Sequence, residues 1–274
     1  MISILNNDEL LQYITNVVET VDGETPLYNK ILPQLEITEQ WLHDSIVGDI
    51  PINGDRQKMA ATVIACEAFR RSVPSLDLIL TPNGFGVVSN ANVAPASKER
   101  VERLIASLAE QRDKALGALL NDLAKDNKWM ATERGQWLAS SFFSSYSDDP
   151  VPLNCMESGD RWQGWLLLRQ KARPIEQAYS ERWFGQELTA RLRHTLATSP
   201  HGATDVVALA STIRTIILDE ICSGRRMFHR LDRCVNYIRD NAELYPEWQT
   251  DKVAELFEDK WRFKNKKNSP GYFF

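Results

Sequence analysis

The segment from Leu76 to Val101 constrains the fold of this chain more than any other. It reads LDLILTPNGFGVVSNANVAPASKERV, and every second residue from Leu76 to Leu80 is leucine. This period of two predicts a half-buried strand, and the Asn83-Gly84 pair that follows predicts the tight turn of a β-hairpin. A two-stranded hairpin alone is only marginally stable in water. Because long helical patterns flank it, the hairpin must pack on helices or pair with another chain.

A long amphipathic helix is predicted after Pro95. Over about 28 residues its apolar side chains recur with the i, i+3, i+4 spacing of one helix face; they are Val101, Leu104, Ile105, Leu108, Ala115, Leu116, Leu119, Leu120 and Leu123. The same spacing and the positions of proline and glycine predict further helices. These run from Asn7 to near Glu19, after Pro33, over Met59–Arg71, from Gln163 to Leu196 with a break near Pro174, and over Thr204–Ile221, Met227–Glu243 and Asp251–Trp261.

The predicted fold class is therefore mainly α, a helical bundle with one inserted β-hairpin at about residues 76–89 and an extended C-terminal tail. Two prolines and paired acids make Asp148–Pro152 the predicted linker. We expect an N-terminal helical unit with the hairpin (1–147), a C-terminal helical unit (148–259) and a basic, aromatic tail (260–274). Both halves show a similar order of helices that closes in a tryptophan, which indicates a tandem duplication or a chance likeness between helical sequences.

The composition is that of a globular protein, with 43% hydrophobic and 25% charged residues. A net charge of −5 argues against a protein that wraps nucleic acid with its whole surface, although a local basic patch stays possible. The N-terminus lacks the features of a signal peptide, and no apolar run is long enough to span a bilayer, so we expect a soluble, cytoplasmic chain. The four cysteines are scattered, and we expect reduced, buried thiols.

Dedicated catalytic motifs are absent from the sequence, so neither an enzyme nor a cofactor is predicted. Glu39 and His43 are spaced i, i+4 and could offer two metal ligands, but no second pair completes the site. Cys222, His229 and Cys234 lack a fourth ligand at zinc spacing. The adjacent acids at positions 148 and 149 are expected to be solvated. The eight tryptophans are expected in the core and at helix ends, with exposed stacking platforms as the alternative.

The tail, KWRFKNKKNSPGYFF, combines five basic residues with no acids and ends in three aromatic residues. Exposed aromatic side chains are costly in a soluble protein unless something covers them. We therefore expect the tail to dock on a neighbouring subunit, as an added strand or as an anchor in a groove, with a disordered tail as the alternative. A second basic run, at Arg225, Arg226 and Arg230, is expected to form a solvated face or a subunit interface.

Two segments resemble a family encoded by phages and prophages of Bacteroidetes, whose members look like head–tail connector, neck or adaptor proteins. The segments are LILTPNGFGVVSNANVAPASKERV and an ending of the form NKK-x-S-x-GYFF. The resemblance implies a virion structural protein at the head–tail interface that is in the host cytoplasm during assembly. It implies an oligomeric ring that contacts the portal or other neck and tail proteins, and passing DNA at most non-specifically. The adaptor, stopper and tail-terminator positions stay open.

The partner-binding residues that we expect lie in two places. They are Pro82, Asn83, Gly84 and Phe85 at the hairpin tip, and Lys264, Tyr272, Phe273 and Phe274 in the tail. No catalytic, cofactor or metal residue is expected, and neither a membrane nor a small-molecule substrate is expected as a partner. The main alternative is an intracellular helical binding or regulatory protein whose basic run contacts nucleic acid or an acidic partner. A further alternative is an enzyme whose site no motif discloses.

Overall fold

A computed structural model of the chain describes residues 4, 6–14, 25–76, 78–81, 84–87, 97–156, 159–199 and 201–257. These residues form a mainly α-helical bundle, as the hydrophobic periodicity predicts. The α-helices, in chain order from α1 to α11, are Asn7–Tyr13, Leu27–Leu42, Asp55–Ser72, Lys98–Leu123, Asn127–Met130, Glu133–Ala139, Arg161–Tyr179, Gln186–Thr198, Asp205–Ser223, Phe228–Asp240 and Pro246–Gln249. None of the helices in these ranges is long and apolar enough to cross a membrane.

The predicted long helix is confirmed as α4, which spans 26 residues. Its apolar stripe faces the core, where Leu108, Leu116 and Leu123 are fully buried. The helix packs mainly on α3, another helix rich in buried alanine and β-branched residues. This pair forms the centre of the N-terminal half.

The apolar side chains form two clusters. The first is built from α1 to α6 together with Tyr146, which precedes α7, and Trp162 and Trp165 of α7. The second is built from α7 to α11 together with Phe142 and Phe143, which precede α7 in the chain. Residues between α6 and α7 therefore contribute to both clusters, and Val151 packs on both. The division of the chain into two units near residue 148 stays a prediction.

The predicted linker contains a buried carboxylate. Asp149 is only 1% exposed, so the expectation that both acids of this pair are solvated is wrong for Asp149. Its carboxylate accepts hydrogen bonds from the indole of Trp165 at 3.0 Å and from Arg214 at 3.2 Å. Asp149 thus connects this segment to α7 through Trp165 and to α9 through Arg214.

Two short strands lie between α3 and α4. Leu78–Thr81 (β1) and Gly84–Val87 (β2) pair antiparallel, with Leu80 opposite Phe85 and Thr81 opposite Gly84. Within the described ranges no third strand joins this sheet.

Two prolines that predicted helix boundaries lie inside helices instead. Pro33 is within α2 and Pro174 is within α7. An internal proline removes the hydrogen bond to the carbonyl four residues earlier and costs about 3 kcal/mol. Those carbonyls belong to Asn29 and Gln170, both exposed residues, so water can hydrogen-bond to them.

The actual ends of these two helices share a structural device. Both α2 and α7 continue into a five-residue π-helical turn, His43–Val47 and Ser180–Phe184 respectively. Each turn is closed by a glycine with positive φ, Gly48 at 67° and Gly185 at 76°. The π-helical turn is a rare element that often marks a functional position.

A distant tryptophan fixes each π-helical turn. The indole N–H of Trp129 donates to the carbonyl of Ile46 at 2.8 Å, and that of Trp248 donates to the carbonyl of Trp183 at 2.9 Å. Both acceptors lie two residues before the closing glycine. Trp129 and Trp248 are the tryptophans that end the two similar halves of the sequence, so the likeness has a counterpart in hydrogen bonding.

Candidate functional site

Most of the predicted partner-binding residues lie outside the described residues. These are Pro82 and Asn83 of the hairpin tip, and Lys264, Tyr272, Phe273 and Phe274 of the tail. Gly84 and Phe85 begin β2, where Gly84 pairs with Thr81 and Phe85 with Leu80. The described surfaces that a partner can contact lie on the helical body.

One feature of the described surface is a groove of about 520 Å³ at the end of α2, called the α2 groove below. It lies along α2, its π-helical turn and the loop that follows Gly48. Its apolar residues are Leu42, Val47, Ile50, Pro51, Ile52 and Ile64. Its polar residues are Glu36, Glu39, Gln40, His43 and Asp49.

The π-helical turn gives the groove its shape. The turn widens the last turn of α2, and Gly48 then reverses the chain with a positive φ that only glycine adopts without strain. A side chain on Gly48 would also collide with the guanidinium of Arg134. The bond from Trp129 to Ile46 holds the turn against the core, so the groove lies on a fixed support.

Negative charge dominates the α2 groove. Three carboxylates line it, those of Glu36, Glu39 and Asp49, and neither lysine nor arginine is among its lining residues. His43 is the one lining residue that can become a cation, and its ring contacts Asp44 at 2.9 Å and Asp49 at 3.6 Å. The pKa of Asp44 is lowered by hydrogen bonds from His43 and Gln40, so this neighbouring group also stays ionised. The groove combines an apolar floor with an acidic rim.

A buried ionic network lies between α3, α4 and the start of α7. Glu67, 1% exposed, accepts hydrogen bonds from Arg70, Arg71 and Arg112 at 2.6–2.8 Å. Burial would raise the pKa of Glu67, but the arginine hydrogen bonds and charges together lower it to about 2. Asp160, which caps α7, accepts a further bond from Arg112 at 2.8 Å. This network joins three helices.

Arg112 is the centre of that network and is almost fully buried. Its guanidinium also donates to Asp113 at 2.7 Å, and the hydroxyl of Tyr146 donates to the same carboxylate at 2.6 Å. Burial alone would lower the pKa of Arg112, but the surrounding carboxylates raise it, so the guanidinium stays charged. Each charge is opposed by a partner, which is the arrangement of a structural network rather than of an acid–base site.

A second network surrounds Arg169 of α7. Its guanidinium donates to the carbonyls of Trp137, Leu138 and Phe143, and it lies 4.7 Å from the ring centres of both Trp137 and Trp165. Burial lowers the pKa of Arg169 to about 10. This side chain therefore ties the segment after α6 to α7 by bonds to carbonyl oxygens.

Glu176, about two helical turns further along α7, makes a similar connection. Its carboxylate accepts from the hydroxyl of Ser141 at 2.6 Å and from the N–H of Phe142 at 3.0 Å, and it pairs with Arg193 at 2.9 Å. Sequence reasoning missed Glu67, Arg112, Arg169 and Glu176. Charged residues spaced on apolar helix faces were the available signal. Arg70 and Arg71 lie within four residues of Glu67, but the partners on other elements are 17 to 48 residues away and cannot be paired by spacing.

Two arginines of the second basic run lie beside acids of α9. Arg230 pairs with Asp219, and Arg226 lies 3.8 Å from Glu220. An arginine held by a carboxylate is less available to a phosphate, so this run gives little support to a nucleic-acid interface.

Two of the cysteines are buried thiols with a raised pKa. Burial raises the pKa of both Cys66 and Cys234 to about 11, so these thiols are poor nucleophiles. Cys222 is exposed, which corrects the expectation of a buried thiol, because it lies on the last turn of α9. In the described part of the chain, no three histidine, cysteine or acidic residues are grouped to hold a metal ion.

The model of one protein family, described as a family of unknown function (DUF6712), matches residues 9–137 and 226–257, which together are more than half of the chain. The matched ranges include every residue lining the α2 groove and both tryptophans that hold the π-helical turns. No curated protein and no solved structure matches the chain.

Proposed function

The chain belongs to DUF6712, a family of unknown function, and we propose that it is a non-enzymatic structural protein of a tailed-phage particle. In this proposal it is a head–tail connector or neck protein that forms a ring through contacts between subunits. The observation that carries the proposal is the resemblance of the segment at residues 78–101 and of the ending NKKNSPGYFF to phage connector-like proteins. The first of these segments lies within the range that matches the family model.

The charges of the helical body support a role by contact. Its most strongly shifted carboxylates, Glu67 and Asp149, are buried and bound to arginine or tryptophan. A catalytic carboxylate would need to reach a substrate. Buried carboxylates that bind other side chains of the fold connect its helices, and a ring subunit requires such a rigid body.

The hairpin supports the proposal because no third strand joins its sheet within the described ranges. A two-stranded sheet needs a partner to be stable, and within the described ranges β1 and β2 have only each other as strand partners. We propose that the hairpin, with its tip at Pro82, Asn83, Gly84 and Phe85, engages the portal or another neck or tail protein.

The basic, aromatic tail supplies the second contact. Aromatic residues such as Tyr272, Phe273 and Phe274 are covered when the tail binds a neighbouring subunit of the ring, and Lys264 adds a charge that an acidic surface attracts. The net charge of −5 suits the wall of a DNA conduit, because such a wall must not retain the passing duplex.

The experiment that tests this function is to tag the protein in its native genome, purify it at mild salt and image the eluate by negative-stain microscopy. The expected result is rings, or necks with attached particles. A monomer without particles, from cells that are producing virions, would contradict the proposal.

A matched pair of variants then addresses the hairpin. We expect Phe85→Ser to reduce incorporation into particles while changing the melting temperature little. Leu153→Ser is the control, since Leu153 is a 91% exposed apolar residue on the body. Equal incorporation of the two variants would show that the hairpin tip is not a contact, and a large drop in melting temperature for Phe85→Ser would show that the hairpin packs on its own body.

A further inference from the structure

We propose that the α2 groove binds the tail, residues 260–274, of a neighbouring copy of the chain. The inference rests on the proposed function in one respect, the presence of a second copy beside the first. It adds the surface that receives the tail, which neither the sequence nor the family assigns.

Charge complementarity is the first argument. The groove is lined by the carboxylates of Glu36, Glu39 and Asp49, and the one guanidinium beside it, that of Arg134 near Gly48, leaves an excess of negative charge. Residues 260–274 hold five basic side chains and no acid. Charges of opposite sign on facing surfaces steer association and set its orientation.

Apolar complementarity is the second argument. Between the acidic side chains lies a floor that includes Val47, Ile50 and Ile52, and the last two are only partly buried. The tail contains five aromatic residues, Trp261, Phe263, Tyr272, Phe273 and Phe274. A volume of about 520 Å³ falls in the range of grooves that hold ligands or anchoring side chains. The tail therefore offers both kinds of group that the groove can bind.

Three other grooves of the described surface fit the tail less well. The groove between α7 and α8 is lined by Arg169, Arg173 and Arg193 against two glutamates, so its charge does not favour a basic segment. The groove around Gly185 is acidic, but Val253 is its one large apolar lining residue, so it has no floor for aromatic rings. The groove beside α10 already holds Phe257 and is lined by Arg182 and Arg226.

The tail is long enough to reach another subunit. The last described residue before it is Phe257, whose ring packs on Trp183 and Trp248 in the second apolar cluster. The 17 residues that follow can extend over about 55 Å. The α2 groove is formed by the first apolar cluster, so the tail leaves one half of the body and binds the other half of the next copy.

Full-length variants with reversed charge test the inference. The groove variant is Glu36→Lys with Asp49→Lys, and the tail variant combines Lys264→Glu, Lys266→Glu and Lys267→Glu. The control is Asp232→Lys with Glu243→Lys, which changes the charge as the groove variant does but at exposed residues of α10 and the loop beyond it. Self-association is measured by sedimentation velocity at low and high salt, with circular dichroism to verify folding.

We expect the wild type and the control to self-associate alike, and the groove and tail variants to associate roughly tenfold more weakly, because each contact then joins like charges. We also expect an equal mixture of the groove and tail variants to associate again. In the mixture, the basic tail of the first variant meets the acidic groove of the second.

Three results would overturn the inference. A groove variant that associates as well as the control would place the tail elsewhere, and a mixture that fails to recover would mean that the tail binds its own chain. A monomeric wild type would exclude a second copy as the occupant. The proposed function fails separately, when a wild type that self-associates is missing from purified particles.

Discussion

Two buried carboxylates in this protein have pKa values shifted in opposite directions. Glu67 accepts hydrogen bonds from three arginines, whereas Asp149 accepts one from the indole of Trp165 and one from Arg214. Burial raises the pKa of Asp149 to about 7, and its two partners offset this only in part. For Glu67 the arginines outweigh burial and the pKa falls to about 2. The two pKa shifts have opposite signs because Glu67 has three arginine donors and Asp149 has one.

Glu67 should stabilise the fold at neutral pH and lose that effect in acid. Its folded pKa of about 2 lies below its ordinary value of 4.5, so the stabilisation is complete above pH 4.5 and disappears as the pH falls toward 2. We expect Glu67→Gln to lower the free energy of unfolding at pH 7 by about 3 kcal/mol, because Arg112 stays buried without its main partner. Urea unfolding from pH 3 to pH 7 measures this effect.

The matched control for Glu67→Gln is Glu110→Gln. Glu110 is exposed and pairs with Lys114 on the same helix, so its loss should leave the unfolding midpoint almost unchanged. Equal midpoints for the two variants would contradict a structural role for the Glu67 network.

Ionisation of Asp149 should lower the stability of the fold. Its folded pKa of about 7 lies above its ordinary value of 3.8, so the folded state binds an extra proton between these values. Stability should therefore fall as the pH rises from about 4 to about 7. We expect Asp149→Asn to flatten this slope, since asparagine does not titrate. Melting temperatures at pH 5 and pH 8 would test this, and an unchanged difference between wild type and variant would contradict the assignment.

The sequence could not predict the role of Asp149. Two adjacent acids beside two prolines are typical of a solvated loop, and Asp148 does pair with the exposed His201. The partners of Asp149 come from α7 and α9, and Arg214 is 65 residues away in sequence. Pairing between such distant residues is a property of packing, which hydrophobic periodicity does not contain.

Among the helices, periodicity predicted α4 well but failed at the ends of α2 and α7. Proline predicts a helix boundary, whereas Pro33 and Pro174 lie inside helices whose affected carbonyls are on exposed residues. Both helices end in a π-helical turn before glycine, and no common sequence rule predicts such a turn. The bond from a distant tryptophan forms only when the chain has folded.

The order of helices and the hydrogen bonds give different alignments of the two halves. The order of helices pairs the loop before Thr204 with the loop at Gly48, whereas the hydrogen bonds pair Gly48 with Gly185. Between glycine and tryptophan the first half has two long helices and the strands, and the second half has three helices. The shared device thus brackets two different sets of elements, and the tandem duplication stays a prediction.

The two tryptophans should be needed for their N–H groups and not only for their size. We expect Trp129→Phe and Trp248→Phe each to lower the free energy of unfolding by about 1–3 kcal/mol, because a carbonyl of the π-helical turn loses its donor and a smaller ring fills the space. Trp137→Phe is the control, since Trp137 is partly exposed and only its carbonyl and ring face are used. Equal losses for all three variants would exclude a specific role for the indole bonds.

At the scale of the whole molecule, the sequence predicted a mainly helical bundle because amphipathic stripes fix how much of each helix is buried. It did not predict how the two apolar clusters share residues. Phe142 and Phe143 join the second cluster, while Trp162 and Trp165, later in the chain, join the first. The chain therefore crosses between clusters, and a composition-based linker cannot reveal such a crossing.

The tail should be required for assembly and not for folding. We expect deletion of residues 268–274 to leave the helical circular dichroism signal of the body unchanged and to abolish ring formation, because residues 4–257 supply the buried side chains of both described apolar clusters. The control replaces Asn268 and Ser269 by alanine and keeps the aromatic residues. A loss of helical signal on deletion would mean that the tail is part of the core.

The central claim is that this protein is part of a phage particle at the junction of head and tail. Immunogold labelling of purified particles that carry a tagged, functional copy tests this claim most directly. We expect one cluster of gold at the head–tail junction of each particle. Purified particles without label, from a lysate in which the tagged protein is abundant, would contradict it.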